Sequence, residues 1–315
     1  MAEFTWTADI PAGVIKLHAI SEKIVDAAIQ ECVFPQFATP VEGFGKKAGE
    51  TFTWTRSSSI SEQTSIVLSE TERVPEYPMA ITTRGATVQE IGASVPYTNL
   101  AEQLSFFDLR NTIQRRLKDN LKLGLDSLAA AAFKDTLIRY AVTGLAANNI
   151  TTNGVFGAAS TANMNTFHLE EIGDYLYQTL FCPFYENDEY VGILNMTGIR
   201  GIMRDPDWEE WHKYTNPEMK YNGEEGTWDR IRLMRTNHAN ALTKVGTGSV
   251  LGEGVFFGFD PVRLAEAMTP ELVAGIPQDL GRDKNVGSLG ILRFRSVWGD
   301  SANAGEANIV YVGST

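Results

Sequence analysis

The hydrophobic positions between Asn99 and Tyr140 recur every three or four residues, which is the spacing of one face of an α-helix. They are Phe106, Leu109, Ile113, Leu117, Leu121, Leu125, Leu128 and Ala132. Asn99 followed by Glu102 has the spacing of a capping box, and Gly144 is placed to end the helix. The pattern predicts one helix roughly 55–60 Å long, at 1.5 Å per residue. Such length is typical of an extended shell subunit and unusual in a compact enzyme.

The chain before this helix has the alternating pattern of β-strands. Strands are predicted at Thr51–Arg56, Ala80–Arg84 and Thr87–Val95. Residues 57–63 are polar and rich in serine, which indicates a loop tip, and Pro75 and Pro78 keep the next segment extended. We interpret residues 42–95 as a long two-stranded excursion. Because a two-stranded ribbon is marginally stable alone, we expect it to lie on another subunit; an ordinary surface hairpin is the alternative.

Residues 1–41 predict an arm with little core of its own. Val14–Ile29 has the period of an amphipathic helix, and Phe34–Phe37 is typical of an extended segment that needs something to pack on. We expect this arm to be stable only against the rest of the fold or a neighbouring subunit.

The chain after the long helix mixes helices and strands. Residues 144–166 are rich in Asn, Thr, Ala and Gly and form the best boundary. Helices are predicted at 169–181, 197–204 and 208–214, strands at 190–195, 230–237, 249–259, 289–298 and 307–312, a loop at 220–228, and a short helix or turn at 261–268. The fold class is α+β, with strands before and after the long helix.

Composition narrows the function. The 315 residues are 43% hydrophobic, which is enough for one large or two modest domains. The net charge of −12 disfavours a free-standing DNA-binding domain and is compatible with an acidic wall around enclosed DNA. Cys32 and Cys182 have no metal-site spacing, and we expect buried thiols. The start lacks a signal-peptide pattern and the chain has no long apolar run, so we expect no membrane span and synthesis in the cytoplasm.

One cluster of residues could carry enzymatic chemistry. The carboxylates Asp205, Asp207, Glu209 and Glu210 are interleaved with Trp208 and Trp211. This is the composition of a carbohydrate-cleaving site, but acids at a helix start explain it better. The histidines His18, His168, His212 and His238 have no metal-binding spacing, and no phosphate-binding or nucleophile motif is present. We predict no catalytic residue, metal or cofactor.

The order of arm, β excursion, long helix, α+β region and closing strands resembles the major capsid protein of tailed double-stranded DNA bacteriophages, the Hong Kong 97-like fold. The stretches that carry the resemblance are TTRGATVQEIGASVPYTN (82–99), LAEQLSFFDLRNTIQRRLKDNLKLGLDSLAAAAF (100–133), VGILNMTGIRGIMRDPDWEEW (191–211), WDRIRLMRTN (228–237), SVLGEGVFFGFDPV (249–262), SLGILRFRSVWGDS (288–301) and NIVYVGS (308–314). The resemblance extends from about residue 40 to the end of the chain, and the stretches that carry it contain no catalytic signature.

The resemblance implies a division of the chain and a set of partners. The parts are an N-terminal arm (1–41), an extended loop over a neighbouring subunit (42–95), a peripheral domain with the spine helix (96–164), an axial domain (165–284) and closing strands (285–315). It implies self-assembly into hexamers and pentamers of an icosahedral head that encloses DNA without sequence-specific binding. The expected location is the virion, after assembly in the host cytoplasm. Because the arm begins within a few residues of Met1, we expect a separate scaffolding protein or none, besides portal and decoration proteins.

Seven residues are candidates for contacts between subunits on this interpretation: Trp54, Arg56, Glu70, Glu72, Arg73, Phe34 and Phe37. Two alternatives stay open. The first is an encapsulin-like nanocompartment shell, which shares the fold and holds an enzyme cargo. The second is a soluble hydrolase that uses the carboxylates between Asp205 and Glu210.

Overall fold

The computed structural model describes residues 29–41, 49–60, 67–68, 70–71, 73–105, 108–212, 224–243 and 252–313. Its strands are β1 (Ala38–Pro40), β2 (Thr51–Ser57), β3 (Ile81–Thr87), β4 (Gln89–Thr98), β5 (Arg139–Gly144), β6 (Ala147–Thr151), β7 (Tyr190–Asn195), β8 (Glu224–Trp228), β9 (Ile231–Thr236), β10 (Gly254–Phe257), β11 (Val262–Ala274), β12 (Asp283–Ser296) and β13 (Ile309–Val312). Its α-helices are α1 (Asn99–Leu104), α2 (Leu109–Lys134), α3 (Thr166–Asp174), α4 (Met196–Met203) and α5 (Pro206–His212). Within the described residues no helix is long and apolar enough to cross a membrane.

A seven-stranded mixed sheet forms the centre of the fold, in the order β6-β5-β13-β10-β7-β9-β8. The strands β7, β10 and β13 are buried along their whole length because the sheet is covered on both faces. Alternate side chains serve the two faces: Leu194 and Phe256 pack with α3 and α4, whereas Ile193 and Phe257 pack with α2. The sheet therefore lies between two hydrophobic clusters and contributes side chains to both.

A four-stranded sheet in the order β1-β11-β12-β4 extends beside it. The strands β11 and β12 form a long antiparallel hairpin, and β4 continues the sheet from Thr98 opposite Asp283 to Gln89 opposite Leu292. In β12 nearly every second residue is buried, so one face is packed. The C-terminal part of α2 lies on this sheet, where Leu128 and Ala132 are near Ile91 of β4 and Leu292 of β12. The helix and the long hairpin thus form the elongated part of the subunit.

The predicted single helix begins at Asn99 as expected, but it is interrupted after Leu104 and ends before Tyr140. The chain leaves the helical conformation at Ser105 and begins α2 after Asp108, whose carboxylate accepts a hydrogen bond from the Asn111 amide at 3.1 Å. The helix α2 ends at Lys134, which makes it roughly 39 Å long at 1.5 Å per residue. Tyr140 lies in β5 instead, where pairing with β13 buries it completely.

The predicted capping box at Asn99 and Glu102 is also wrong, as is the stop at Gly144. The cap of α1 is Thr98, whose hydroxyl accepts from the Ala101 amide at 3.2 Å. Glu102 is drawn away from a cap by Lys284, whose ammonium lies 2.7 Å from its carboxylate. Gly144 ends the strand β5.

Several other sequence predictions differ from the structure. Residues 261–268 belong to the strand β11, and residues 224–228 of the predicted loop form β8. The third strand of the predicted excursion, β4, pairs with β12 and not with the ribbon. Phe34–Phe37 forms a 3₁₀ turn where an extended segment was expected. The helix predicted at Val14–Ile29 lies outside the described residues, except for Ile29.

The strands β2, β3, β7, β9, β12 and β13 and the helices α3, α4 and α5 confirm the sequence predictions, with ends that shift by a few residues. These elements have strong local patterns.

Gly124 offers a test of the packing around α2. A Cβ atom at this position would meet no other atom within 4 Å, so Gly124→Ala is sterically free. We expect it to stabilise the subunit by about 1 kcal/mol, because alanine has the higher helix propensity. Urea unfolding measures the difference. The matched control is Gly192→Ala, whose Cβ would lie 2.5 Å from the Phe256 ring and should destabilise the subunit; equal effects would contradict the prediction.

Candidate assembly surfaces

The ribbon formed by β2 and β3 stands apart as a sheet of two strands. It pairs in unbroken register from Thr51 opposite Thr87 to Ser57 opposite Ile81. The described residues that connect the two strands, between 58 and 80, carry exposed large apolar side chains: Ile60, Val67, Leu68, Val74, Tyr77 and Met79. Val67 exposes 87% of its surface. An exposed group of large apolar residues is typical of an interaction surface, and we call residues 58–80 the ribbon loop.

Two arginines fix the base of the ribbon to the body of the subunit. Arg56 on β2 donates to both carboxylate oxygens of Asp300, at 2.5 and 3.0 Å, and to the Val297 carbonyl at 3.0 Å. Arg84 on β3 pairs with Asp300 as well and with Asp135 at 3.1 Å. The hydrogen bond from Arg56 and the charge of Arg84 lower the pKa of Asp300 to about 2, although partial burial opposes this. The ribbon is therefore held at its base while its loop extends.

The structure uses four of the seven candidate contact residues inside the subunit. Trp54 and Arg56 expose only 6% and 8% of their surface at the ribbon base. Phe34 packs on Phe133 with ring centroids 5.4 Å apart, and Phe37 packs on Phe257 at 5.3 Å. These four side chains expose little surface and hold the ribbon and the arm in place, so a contact role between subunits stays a prediction for them.

Two of the remaining candidates lie at the surface. Glu70 and Arg73 are exposed in the ribbon loop, and Arg73 pairs with Glu76 at 2.6 Å. Glu72 lies outside the described residues. A contact role for these three stays a prediction.

A second apolar surface, which sequence reasoning missed, lies at the tip of the β11–β12 hairpin. Leu100 and Leu104 of α1 and Ile276 and Leu280 of the hairpin turn are all strongly exposed, and we call these four residues the tip surface. The two parts meet because the Asn99 amide donates to the Arg282 carbonyl at 2.8 Å. The tip surface therefore joins two elements that are about 180 residues apart in sequence.

Leu280 is the most unusual residue of the tip surface. It is fully exposed, and its φ of 55° places a bulky side chain in the left-handed region. For a residue other than glycine this conformation costs about 1–2 kcal/mol. A strained and exposed leucine weakens the isolated subunit, so its presence indicates a role outside the isolated subunit. The only sequence signal was the turn composition of Pro277 to Gly281 between apolar residues.

The root of the arm is fixed by a buried carboxylate on α2. One oxygen of Asp126 accepts from the Val33 and Phe34 amides at 2.9 and 3.0 Å, and the other lies 2.6 Å from His238 Nδ1. The side chains of Asp126 and His238 are almost completely buried. The Glu31 amide also donates to Asn237 at 2.6 Å. Arm, α2 and the end of β9 thus meet at one point.

Comparison with known proteins addresses the fold. Protein-family models and curated protein sequences give no match. A chain of the cyanophage Pam1 capsid superposes with a TM-score of 0.69 and 15% identity, covering 99% of this chain and 98% of that chain. The head of Helicobacter pylori bacteriophage KHP40 gives a TM-score of 0.71 and 12% identity over 96% of each chain. The capsid of a native gene transfer agent particle gives 0.64 and 11%, covering 99% and 100%.

The chain has the Hong Kong 97-like fold. The α+β class and the fold implied by the sequence resemblance are confirmed, because similarity extends over nearly the full length of both chains in each case. At 11–15% identity it is the fold that is shown.

The carboxylates of the hydrolase alternative have structural roles in this Hong Kong 97-like chain. Asp205 accepts from the Thr166 amide at 3.0 Å, from the Thr166 hydroxyl at 2.7 Å and from the Asp207 amide at 3.2 Å. Burial would raise the pKa of Asp205, but these hydrogen bonds outweigh it and lower the pKa, which is opposite to the need of a general acid. Asp207 and Glu209 lie in the first turn of α5, where the helix dipole favours acids.

A groove that could hold a ligand lies elsewhere. An open groove of about 690 Å³ is lined by Glu170, Phe184, Asn187, Asp188, Glu189, Thr227, Trp228, Asp229 and Arg230. None of the four carboxylates from Asp205 to Glu210 lines it. In the part of the chain that the structure describes, no three His, Cys, Asp or Glu side chains are grouped to hold a metal. Burial raises the pKa of Cys182 to about 12, as expected for an unreactive thiol.

Proposed function

We propose that this chain is a major capsid protein that self-assembles into the hexamers and pentamers of an icosahedral phage head around double-stranded DNA. The observation that carries the proposal is the match over at least 96% of each chain to subunits of phage heads and of a gene transfer agent. The same comparisons favour a phage-type shell over an encapsulin-like compartment. The proposed location is the virion, and the proposed partners are further copies of the chain, with scaffolding, portal and decoration proteins.

The two exposed apolar surfaces support this function physically. The ribbon loop and the tip surface place large apolar side chains in water in the isolated subunit. Burying them against neighbouring copies is favourable by about 25 cal/mol per Å² of apolar area. A closed shell repeats such contacts many times, so each can be weak while the assembly is stable. We also propose that the chain is divided into arm, extended loop, peripheral domain, axial domain and closing strands, as the resemblance implies.

Sedimentation velocity and negative-stain microscopy of the purified protein test the proposal. We expect closed shells, alone or after co-expression with a scaffolding protein. A sample that contains only monomers or small dimers under both conditions would contradict it. Nuclease-protected DNA in native particles would separate a phage head from a compartment filled with a protein cargo.

Leu280→Asn tests the tip surface within this function. Asparagine tolerates the left-handed conformation better, so the free energy of unfolding should rise by about 0.5–1 kcal/mol, while shell yield should fall because an apolar contact is lost. Urea unfolding and sedimentation measure the two effects. The control is Leu145→Asn in the β5–β6 turn, where leucine is similarly exposed. If both variants formed shells equally well, the tip surface would have no part in assembly.

A further inference from the structure

The cationic residues of this acidic chain are concentrated on α2. The helix carries six of the 27 Lys and Arg residues but only two of the 39 acidic residues. Five of the six cations lie in its first 14 residues: Arg110, Arg115, Arg116, Lys118 and Lys122. The one acid in that stretch, Asp119, pairs with Arg116 at 3.8 Å.

Three of these cations form a continuous exposed line. Arg115, Lys118 and Lys122 are exposed, and we call them the basic stripe. At about 100° and 1.5 Å per residue they lie within about 60° of the helix circumference and about 10 Å of its length. The side of α2 that packs on β4 and β12, marked by Leu128, lies about 80–140° away around the helix. The basic stripe therefore faces away from this sheet.

Such an arrangement is unfavourable in the isolated subunit. Lys118 and Lys122 are four residues apart on one face of the helix, and like charges at this spacing repel. Acidic residues outnumber basic residues in the rest of the chain. A helix face that was merely solvated would therefore be expected to carry charges of both signs. The stripe is explained by an anionic partner that offsets the repulsion.

We propose that the basic stripe contacts the phosphate backbone of the double-stranded DNA that the shell encloses, without reading its sequence. This inference rests on the proposed function, because only a shell holds DNA against this helix. Duplex DNA carries one charge per about 1.7 Å of axis, so about six phosphates lie along the roughly 10 Å of the stripe. Lysine and arginine contacts to phosphate are independent of base sequence.

The composition around the stripe favours DNA over a second copy of the chain. Protein interfaces centre on buried apolar and aromatic anchors and are depleted of charge at their core. The large apolar residues of this stretch of α2, Leu109, Ile113, Leu117 and Leu121, are buried or half-buried, so the stripe offers no exposed anchor. The ribbon loop and the tip surface have such anchors. The acidic remainder of the subunit keeps DNA from other surfaces, so the contact places the stripe on the inner side of the shell.

Binding of a labelled duplex of about 30 base pairs by the unassembled subunit, followed by fluorescence anisotropy, tests the inference. Each phosphate contact contributes a slope of about −0.9 to the dependence of log K on log salt. Lys118→Gln with Lys122→Gln should therefore weaken the salt dependence by about 1.8 between about 50 and 200 mM salt. Arg200→Gln with Arg204→Gln is the matched control, since these exposed cations are also four residues apart, at the end of α4. The control should leave the slope unchanged.

The outcomes separate this inference from the proposed function. An unchanged slope in the α2 variant, or an equal loss in the control, would overturn the inference, because the binding would then reflect net charge alone. Sedimentation of both variants supplies the second readout, and we expect both to form shells. Loss of shells in the α2 variant with an unchanged slope would assign the stripe to a protein contact instead. Failure of the wild-type chain to form shells would count against the proposed function whatever the slope.

Discussion

Replacing the ribbon loop, residues 58–80, by an Asn-Gly turn yields a folded subunit that no longer forms shells. Ser57 and Ile81 are opposite each other at the end of the ribbon, so a two-residue turn closes β2 and β3 without changing their register. The anchors at Arg56 and Arg84 are kept. Each halving of loop length lowers the closure cost by about 0.6 kcal/mol, so replacing 23 residues by two should raise the free energy of unfolding by about 2 kcal/mol. Shell formation should be lost, since the exposed apolar side chains of the loop are gone.

Circular dichroism with urea unfolding measures the first effect, and sedimentation with negative-stain microscopy measures the second. A gentler variant keeps the loop and changes Val67, Val74 and Met79 to serine, and it should also lose shells. Its control changes the polar Ser59 and Thr71 of the same loop to alanine and should keep them. An unfolded deletion variant would show that the loop belongs to the subunit core, and normal shells would show that the loop is dispensable for assembly.

The sequence predicted the elements whose signals are local. The period of α2 and the continuous apolar run of β7 can each be seen within one window of the chain. The strand β7 forms where expected, and α2 forms inside the predicted span but is shorter. The strand β11 could not be recognised, because its partner β12 lies across a hairpin turn and its sequence also fits a helix or turn. The break at Ser105 is equally invisible. It appears where Lys284 of the distant β12 binds Glu102 and draws α1 to the hairpin.

The sequence indicated which part of the chain carries an exposed surface, but it did not indicate which residues of that part are exposed. The marginal stability of a two-stranded ribbon pointed to the right part of the chain. It could not show that Trp54 and Arg56 turn inward, since this depends on Asp300 and Trp298 far along the chain; the Arg56 guanidinium lies 4.7 Å from the Trp298 ring centroid. The strain at Leu280 exists only in the backbone conformation. Polar residues of α2 all fit a solvated face by pattern, although Asp126 is buried and the basic stripe is exposed.

Asp126→Ala should be the most destabilising of the substitutions considered, by about 3–5 kcal/mol. The carboxylate is fully buried and satisfies the Val33 and Phe34 amides as well as His238. Alanine leaves two buried amides and an imidazole without this partner, and each unsatisfied buried group costs about 1–3 kcal/mol. Asp126→Asn should cost less, because its carbonyl oxygen can still accept from the two amides. Urea unfolding followed by circular dichroism measures these differences.

Asp119→Ala on the same helix is the matched control for this substitution. Asp119 has a partly exposed side chain and one ion pair at 3.8 Å, so its removal should change the free energy of unfolding by less than about 1 kcal/mol. A double-mutant cycle of Asp126→Ala with His238→Ala should give a coupling of about 0.5–3 kcal/mol, because the two side chains interact directly. If Asp126→Ala cost no more than Asp119→Ala, the buried carboxylate would not hold the arm. A large cost with intact coupling would mean that α2 fixes the arm and the end of β9 at one point, so that the arm leaves every subunit from the same place.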